Sequence, residues 1–296
     1  MLSTKVLSIR RTNTMTAIAL VQKVKNLPPV SEAALKLINL LDKSSVNNED
    51  IVQVLKYDNV LTAKLLRECN SAALAPEEPV SSVDQAVFLL GHEPILHIVM
   101  TLAFGNVMAG SSLTYTMEMN ELWQHSLVSA VAAETVLNEI PELNGDANVA
   151  FTACLLHDIG KLVLAQTISA DEIIEIRDRI ERKQISGSQA EKEVIGADHG
   201  EVCAALLQSW RLPQSIVEAV ADHHHPPMED LGLSTMVHIA NAIAHHAKPP
   251  VGQTIFDLRI DDGITATLDL KGEKLDEMTV AVRESFDQVD RFMAMA

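Results

Sequence analysis

Residues 148–156, NVAFTACLL, are apolar almost throughout and run straight into His157-Asp158-Ile159-Gly160-Lys161. A helix without a polar face must be buried on all sides. The pattern predicts a central helix with an imidazole and a carboxylate at its C-terminal end. A buried charge is costly unless it is paired, hydrogen-bonded or bound to a metal. The fold must therefore bring partners to His157 and Asp158. Further imidazoles stand upstream at His125 and downstream at His199 and His223-His224-His225.

The remainder reads as helices that can enclose such a site. The chain is 47% apolar but only 3% aromatic, so its core is built from Leu, Ile, Val and Ala, which suits helices packed on helices. Its 296 residues suffice for one large domain or two modest ones. Ser31 can cap a helix over 31–41, with Ala34, Leu35, Leu37, Ile38 and Leu41 on one face. Leu27-Pro28-Pro29 ahead of it is extended. Asn48-Glu49-Asp50 opens a second helix through Ile51, Val54 and Leu55, and Leu61, Leu65 and Leu66 mark a third ending near Asn70-Ser71. After a loop over 75–79, Ser82 caps a helix stopped by Gly91, and another runs from Pro94 to about Phe104.

Residues 105–116, GNVMAGSSLTYT, are small and polar and form the best internal linker. Met117–Ile140 is a long amphipathic helix carrying His125. Asp171–Arg182 is a charged surface helix with Ile173, Ile176 and Ile180 on one face. Stretches 189–210, 213–224 and 234–247 are helical, and Pro249-Pro250 ends the last. Ile264–Leu270 alternates like a strand but has no partner strand, so a loop with a short helical turn is expected. Leu275–Met293 closes the chain as an amphipathic helix. The expected organisation is all-α: a tail over 1–19, one lobe over 20–115, a second over 116–250, and a C-terminal loop and helix over 251–296.

A net charge of −17 excludes nonspecific nucleic-acid binding, yet leaves room for a small anion held locally by a metal. Cys69, Cys154 and Cys203 form no CxxC pair, which points to a reducing, cytoplasmic setting. The apolar run Ile98–Ala109 is too short to span a membrane. Lys5, Arg10 and Arg11 precede an apolar patch cut by Lys23 without a cleavage site, so no signal peptide is expected.

On a regular helix His157 and Asp158 point about 100° apart, but at a helix end the chain can turn both toward one ion. A carboxylate can also bridge two ions. Nitrogen and oxygen donors together suit iron, manganese, zinc or nickel rather than calcium. Two such ions roughly 3.5–4 Å apart can activate water and stabilise a phosphoryl transition state. Each histidine also has a plainer reading. His125 shares a face with Leu122 and Ala132 and can be a hydrogen-bonded core histidine. His199 follows Asp198, a helix cap, and His223-His224-His225 can be a solvated turn. Cys154 reads as a small packing residue. His238, Asn241 and His245 share a helix face, His246 points away, and His92 and His97 have no assigned role.

The order His125, His157-Asp158, His199, His223-His224 resembles the HD superfamily of metal-dependent phosphohydrolases. Leu27-Pro28-Pro29-Val30, the stretch from Asp58 to Leu66, Cys69-Asn70-Ser71-Ala72, the stretch from Ala86 to Gly91, Trp210-Arg211-Leu212-Pro213 and His223-His224-His225-Pro226 are similar to the HDOD family. The resemblance covers roughly residues 20–250. It implies a two-lobed helical HDOD/HD-like fold and a bacterial signalling or regulatory role, binding a protein partner or a small phosphorylated ligand. The alternative it implies is a metal-dependent phosphohydrolase acting on a nucleotide or phosphodiester.

The same resemblance implies a ligand set. His125, His157 and Asp158 would hold a first divalent transition-metal ion, with Asn241 where the HD pattern has a final aspartate. An amide oxygen is neutral and a weaker ligand. His199, His223 and His224 resemble the extra ligands of the HD-GYP phosphodiesterases, which would make room for a second ion. Pro226-Pro227-Met228-Glu229-Asp230 follows them and no Gly-Tyr-Pro element appears, so cyclic-dinucleotide hydrolysis is not expected. Lys161 matches the lysine after HD-x-G, where it would contact phosphate; its plainer reading is a helix-end charge. Asp158 and Lys161 are thus the candidate catalytic pair.

Overall fold

The first lobe is built from short helices whose starts are capped by the side chains standing just ahead of them. It is seen in a computed structural model that describes residues 16–24, 30–41, 47–71, 74, 76–109, 119–143, 145–227, 231–248 and 259–294. Helix α1 covers 16–23, followed by α2 (Glu32–Leu41), α3 (Asn48–Leu55), α4 (Asn59–Cys69), α5 (Val83–Leu90) and α6 (His92–Ala109). Asn47 and Asp50 form a reciprocal capping box on α3. Asp58 accepts from Leu61 N at 2.9 Å, and Ser82 from Gln85 N at 3.1 Å. Each satisfies a backbone donor that a helix start leaves unpaired. Ser31 accepts from Ala33 N and donates to Asp58, which ties the start of α2 to that of α4. Gly91 ends α5 at a φ of 83°, a region that favours glycine.

The second lobe holds α7 (Met119–Glu139), α8 (Ala147–Leu156), α9 (Gly160–Thr167), α10 (Ala170–Lys183), α11 (Gly187–Ile195), α12 (His199–Ser209), α13 (Gln214–Ala221) and α14 (Leu233–Ala247). The apolar α8 lies at its centre, with α7, α13 and α14 around it and α2 and α6 of the first lobe on its remaining side. The α8–α9 stretch Ala147–Thr167 is long and apolar enough to span a membrane by composition, but 89% of its apolar 18-residue window is buried among the other helices. Phe151, Leu155 and Leu156 are buried there. Each contributes about 1.5–3 kcal/mol before the entropy of ordering is counted. On α10, Ile176 is buried while Ile173 and Ile180 pack partly against the core, as their shared face predicts. Among the described residues there is no strand.

Several boundaries depart from expectation. Helix α1 begins inside the stretch assigned to the tail, because Ala17 and Leu20 are buried in the core. Helix α6 continues through Gly105 to Ala109, into the expected linker. Phe104 and Val107 on either side are fully buried, and a Cβ at Gly105 would stand 3.4 Å from the Trp123 ring, so the glycine serves close packing rather than a break. The stretch 189–210 divides into α11 and α12 at Gly196, whose φ is 87°, and Asp198 then caps α12 through a capping box with Glu201. The expected C-terminal turn is α15 (Asp262–Thr267), and α16 (Gly272–Ala294) packs on α7 and α14, joining the second lobe. Residues 1–15, Leu27-Pro28-Pro29, 110–118 of the linker and its lobe boundary, Met228-Glu229-Asp230, Pro249-Pro250 and 251–258 lie outside the described residues.

Candidate metal centre

Helix α8 ends at Leu156, and His157, Asp158 and Ile159 form a turn before α9 starts at Gly160. That turn is pressed against α12. A Cβ on Gly160 would lie 2.0 Å from the carbonyl oxygen of His199 and 2.7 Å from Cys203 N. Cys203 Sγ donates to the Leu156 carbonyl at 3.1 Å across the same contact. Gly200 allows a second approach, since a Cβ there would stand 3.0 Å from Val220 O and 3.2 Å from the His223 ring. Two glycines thus let the starts of α9 and α12 and the end of α13 converge, and they bring His157, His199 and His223 to one place.

The donors form two groups: His125, His157 and Asp158 in one, and His199, His223 and the half-buried His224 in the other. Asp158 faces both. Its Oδ2 lies 3.6 Å from His125 Nε2 and 3.5 Å from His157 Nε2, while its Oδ1 lies 3.1 Å from His199 Nε2. The amide oxygen of Asn241, on α14, lies 2.9 Å from His125 Nε2. Lys161 donates to Asp158 Oδ2 at 2.8 Å. That lysine is 6% exposed and sits in the first turn of α9, so it is neither a solvent-facing charge nor at the end of its helix.

The tautomers follow from what the rings touch. His157 Nδ1 lies 2.6 Å from the Cys154 carbonyl, and His223 Nδ1 lies 2.7 Å from the Val220 carbonyl. A carbonyl only accepts, so both rings carry hydrogen on Nδ1 and present the Nε2 lone pair to the centre. Both Nε2 atoms are buried without a hydrogen-bond partner. His224 Nε2 lies 2.7 Å from His199 Nε2.

Burial sets most of the charge states. It lowers His223 and His224 well below the ordinary histidine range, helped by the imidazoles around them. It lowers His125 as far, with His245 adding to the effect, and it lowers His157 against the pull of Asp158. Burial would raise Asp158, but Lys161, His157 and His199 outweigh it and hold the carboxyl well below the usual carboxylate range. His199 is the exception: burial lowers it, yet Glu191 and Asp158 push it up to about 10.

These residues fit a metal. The neutral, acceptor-type imidazoles of His157 and His223 and the ionised Asp158 are in the protonation states that ligation requires, and His199 would release its proton on ligation. Unpartnered buried nitrogens are otherwise costly. Donor atoms on one first-row ion stand roughly 3–3.4 Å apart, given bonds of ~2.1 Å; close pairs here run from 2.7 to 3.6 Å, and the donors of each group all lie within 4.8 Å of one another.

The structure thus gathers His125, His157, Asp158, His199, His223, His224 and Asn241, and pairs Lys161 with Asp158. One contact of the centre has no counterpart in the sequence reading. Glu191, fully buried on α11, accepts from His199 N at 2.6 Å and meets His199 Nδ1 at 2.7 Å. An acid among the buried Ser188 and Ala190 was its only local signal. His245 stacks on His125 with ring centroids 4.1 Å apart. His238 Nδ1 lies 2.8 Å from the His223 carbonyl, and His238 Nε2 accepts from Asp261 N at 3.0 Å. His97 stacks on Phe151 at 3.9 Å, away from the centre, and His246 is exposed.

The HDOD domain model matches residues 27–226. An HDOD domain protein of unknown function from Geobacter sulfurreducens superposes with a TM-score of 0.70 at 25% identity, covering 94% of this chain and 98% of that one. A candidate signal transduction protein from Marinobacter aquaeolei VT8 shares the fold, with a TM-score of 0.74 at 20% identity over 96% of this chain and 65% of its own. A candidate phosphohydrolase from Shewanella amazonensis SB2B also shares it, with a TM-score of 0.59 at 24% identity over 89% and 98%. An uncharacterised protein from Treponema pallidum (strain Nichols) is 22% identical over 241 residues, 79% of this chain; the chain spans 45% of that relative.

Proposed function

The chain belongs to the HDOD domain family, and from that premise we propose that it is a signalling module of the bacterial regulatory kind whose second lobe binds divalent transition metal and, beside it, a small phosphorylated ligand, the occupied state being read by a protein partner. The observation that carries this reading is Asp158, whose two oxygens face two groups of buried imidazoles. Iron, manganese, nickel and zinc suit the donors.

A metal held there supplies a Lewis acid for a phosphate oxygen. His125, His157 and Asp158 would hold one ion, and His199, His223 and His224 a second. Lys161 keeps Asp158 ionised, and Glu191 fixes the orientation of His199. Asn241 supplies a neutral oxygen where a carboxylate would bind more strongly, and Lys161 is already engaged by Asp158. Both features favour binding over turnover.

The second reading is a phosphohydrolase acting on a nucleotide or phosphodiester. The placement of Asp158 between the two groups of imidazoles favours it. Metal analysis of protein purified without added ions tests the shared premise, and absence of iron, manganese, nickel and zinc refutes it. Phosphate release from a nucleotide panel then separates the two readings. Activity in the parent selects the enzyme. Activity only in Asn241→Asp shows that turnover was lost at that ligand, and activity in neither leaves the binding module.

A further inference from the structure

Beside the histidine groups lies a pocket of about 260 Å³, and part of its wall comes from residues beyond the HDOD match. Ser186, Ser188, His224 and Asn241 line it from the second lobe, and Arg259 and Asp261 from the C-terminal segment. His224 and Asn241 belong to the candidate metal groups, so the pocket opens directly on them. The added wall is anchored rather than laid loosely across. Asp261 N donates to His238 Nε2 at 3.0 Å, and His238 Nδ1 meets the carbonyl of His223 at 2.8 Å. One imidazole therefore fastens the C-terminal segment to the turn that carries two candidate ligands.

Among the described residues Arg259 is the one permanent cation lining this pocket. It is exposed and forms no ion pair among the described residues. The whole chain carries a net charge of −17, so a guanidinium with no ion pair among the described residues stands out beside the imidazoles that line the same pocket. Guanidinium is the side chain best suited to grip phosphate oxygens. Ser186 and Ser188, whose hydroxyls lie 3.0 Å apart, add donors to the lining. The pocket also meets the carboxylates of Asp261 and Asp262. These repel a bare anion but accept hydrogen bonds from sugar hydroxyls. Pockets for drug-sized ligands run from roughly 300 to 1,000 Å³, so the enclosed part of this one accommodates less than a dinucleotide.

We propose that the pocket binds one phosphate monoester of a sugar or nucleoside, with Arg259 as its anion-recognising residue. The proposal rests on the metal-and-ligand reading above and narrows the ligand to a mononucleotide or smaller.

Calorimetric titration of the full chain tests it, with metal content measured on the same sample. The titrants are adenosine 5′-monophosphate, ribose 5-phosphate, inorganic phosphate and a cyclic dinucleotide. Either ester should bind, and Arg259→Gln should weaken that binding tenfold or more while metal content and melting temperature stay unchanged. No binding of either ester, or equal binding by Arg259→Gln, overturns the proposal. Inorganic phosphate binding as tightly as the esters overturns the ester assignment, and equal binding of the cyclic dinucleotide overturns the size limit. A sample that holds no metal yet binds an ester in an Arg259-dependent way upholds the pocket and refutes the metal centre, so the two failures are separable.

Discussion

Asp158 Oδ1 lies 3.1 Å from His199 Nε2, across the contact between the α8–α9 turn and α12. The other oxygen of the same carboxylate takes the Lys161 ammonium at 2.8 Å. One side chain thus serves both imidazole groups and a buried cation. Asp158→Ala should strip metal from both groups at once, whereas His125→Ala should strip only the group it shares with His157. Metal per chain after dialysis, measured by elemental analysis, distinguishes the two. Loss of the buried acceptor of Lys161 should also lower stability by about 3 kcal/mol, read by urea unfolding. Full metal retention by Asp158→Ala would refute the shared-ligand assignment.

Gly160→Ala should be more damaging than its chemistry suggests. The added methyl would lie 2.0 Å from the His199 carbonyl and 2.7 Å from Cys203 N, both backbone atoms of α12 that cannot rotate aside. Helix α12 must move, at a cost of about 3 kcal/mol or more, and His199 moves with it. Gly272→Ala is the control, because nothing lies within 4 Å of a Cβ there. Its stability should change by no more than about 1 kcal/mol. Equal melting temperatures for the two variants would show that the α9–α12 approach is not tight.

The central helix and the residues of the site were legible because their signals are local. An apolar run such as 148–156 must be buried, and the His-Asp pair at its end needs partners. The matching order of His125, His199, His223 and His224 then named them. What the sequence hid are contacts made across distance. Glu191 meets His199 only because Gly196 and the Asp198 cap turn the chain back between α11 and α12. Periodicity read that stretch as one helix, since an apolar face continues on both sides of the turn. At Gly105 the opposite error arose, where a breaker residue stays helical because the Trp123 ring lies against it. The pairing of Lys161 with Asp158 was equally unreadable, because spacing alone cannot say whether a lysine side chain turns inward.

Glu191→Gln should weaken one metal group and spare the other. Glu191 accepts from His199 N at 2.6 Å and holds His199 Nδ1 at 2.7 Å, which fixes the ring and raises the basicity of its Nε2. Glutamine keeps an oxygen for the backbone N–H but removes the charge. Affinity at the His199, His223 and His224 group should fall about 10- to 100-fold, while the His125, His157 and Asp158 group keeps its affinity. Competition with a graded series of chelators resolves the two. A uniform loss at both groups would mean that Glu191 supports the fold as a whole rather than His199.

His97 supplies a pH dependence independent of the metal. It lies between the lobes, stacked on Phe151 at 3.9 Å with the rings 6° from parallel. Burial lowers it to about 4, against raising contributions from Asn148 and Asp146. The unfolded chain keeps the ordinary value near 6.5, so between about 6.5 and 4 the unfolded state takes up a proton that the folded state refuses. Stability is therefore unaffected by this group above that window, and falls through it as the pH drops, by about 3 kcal/mol at most. From pH 7 to pH 5 the loss attributable to His97 should be about 2 kcal/mol. In His97→Gln the slope of unfolding free energy against pH should be shallower by that amount, whatever the substitution costs at pH 7. Parallel slopes for parent and variant would mean that the ring is protonated within the fold and that the stack on Phe151 tolerates its charge.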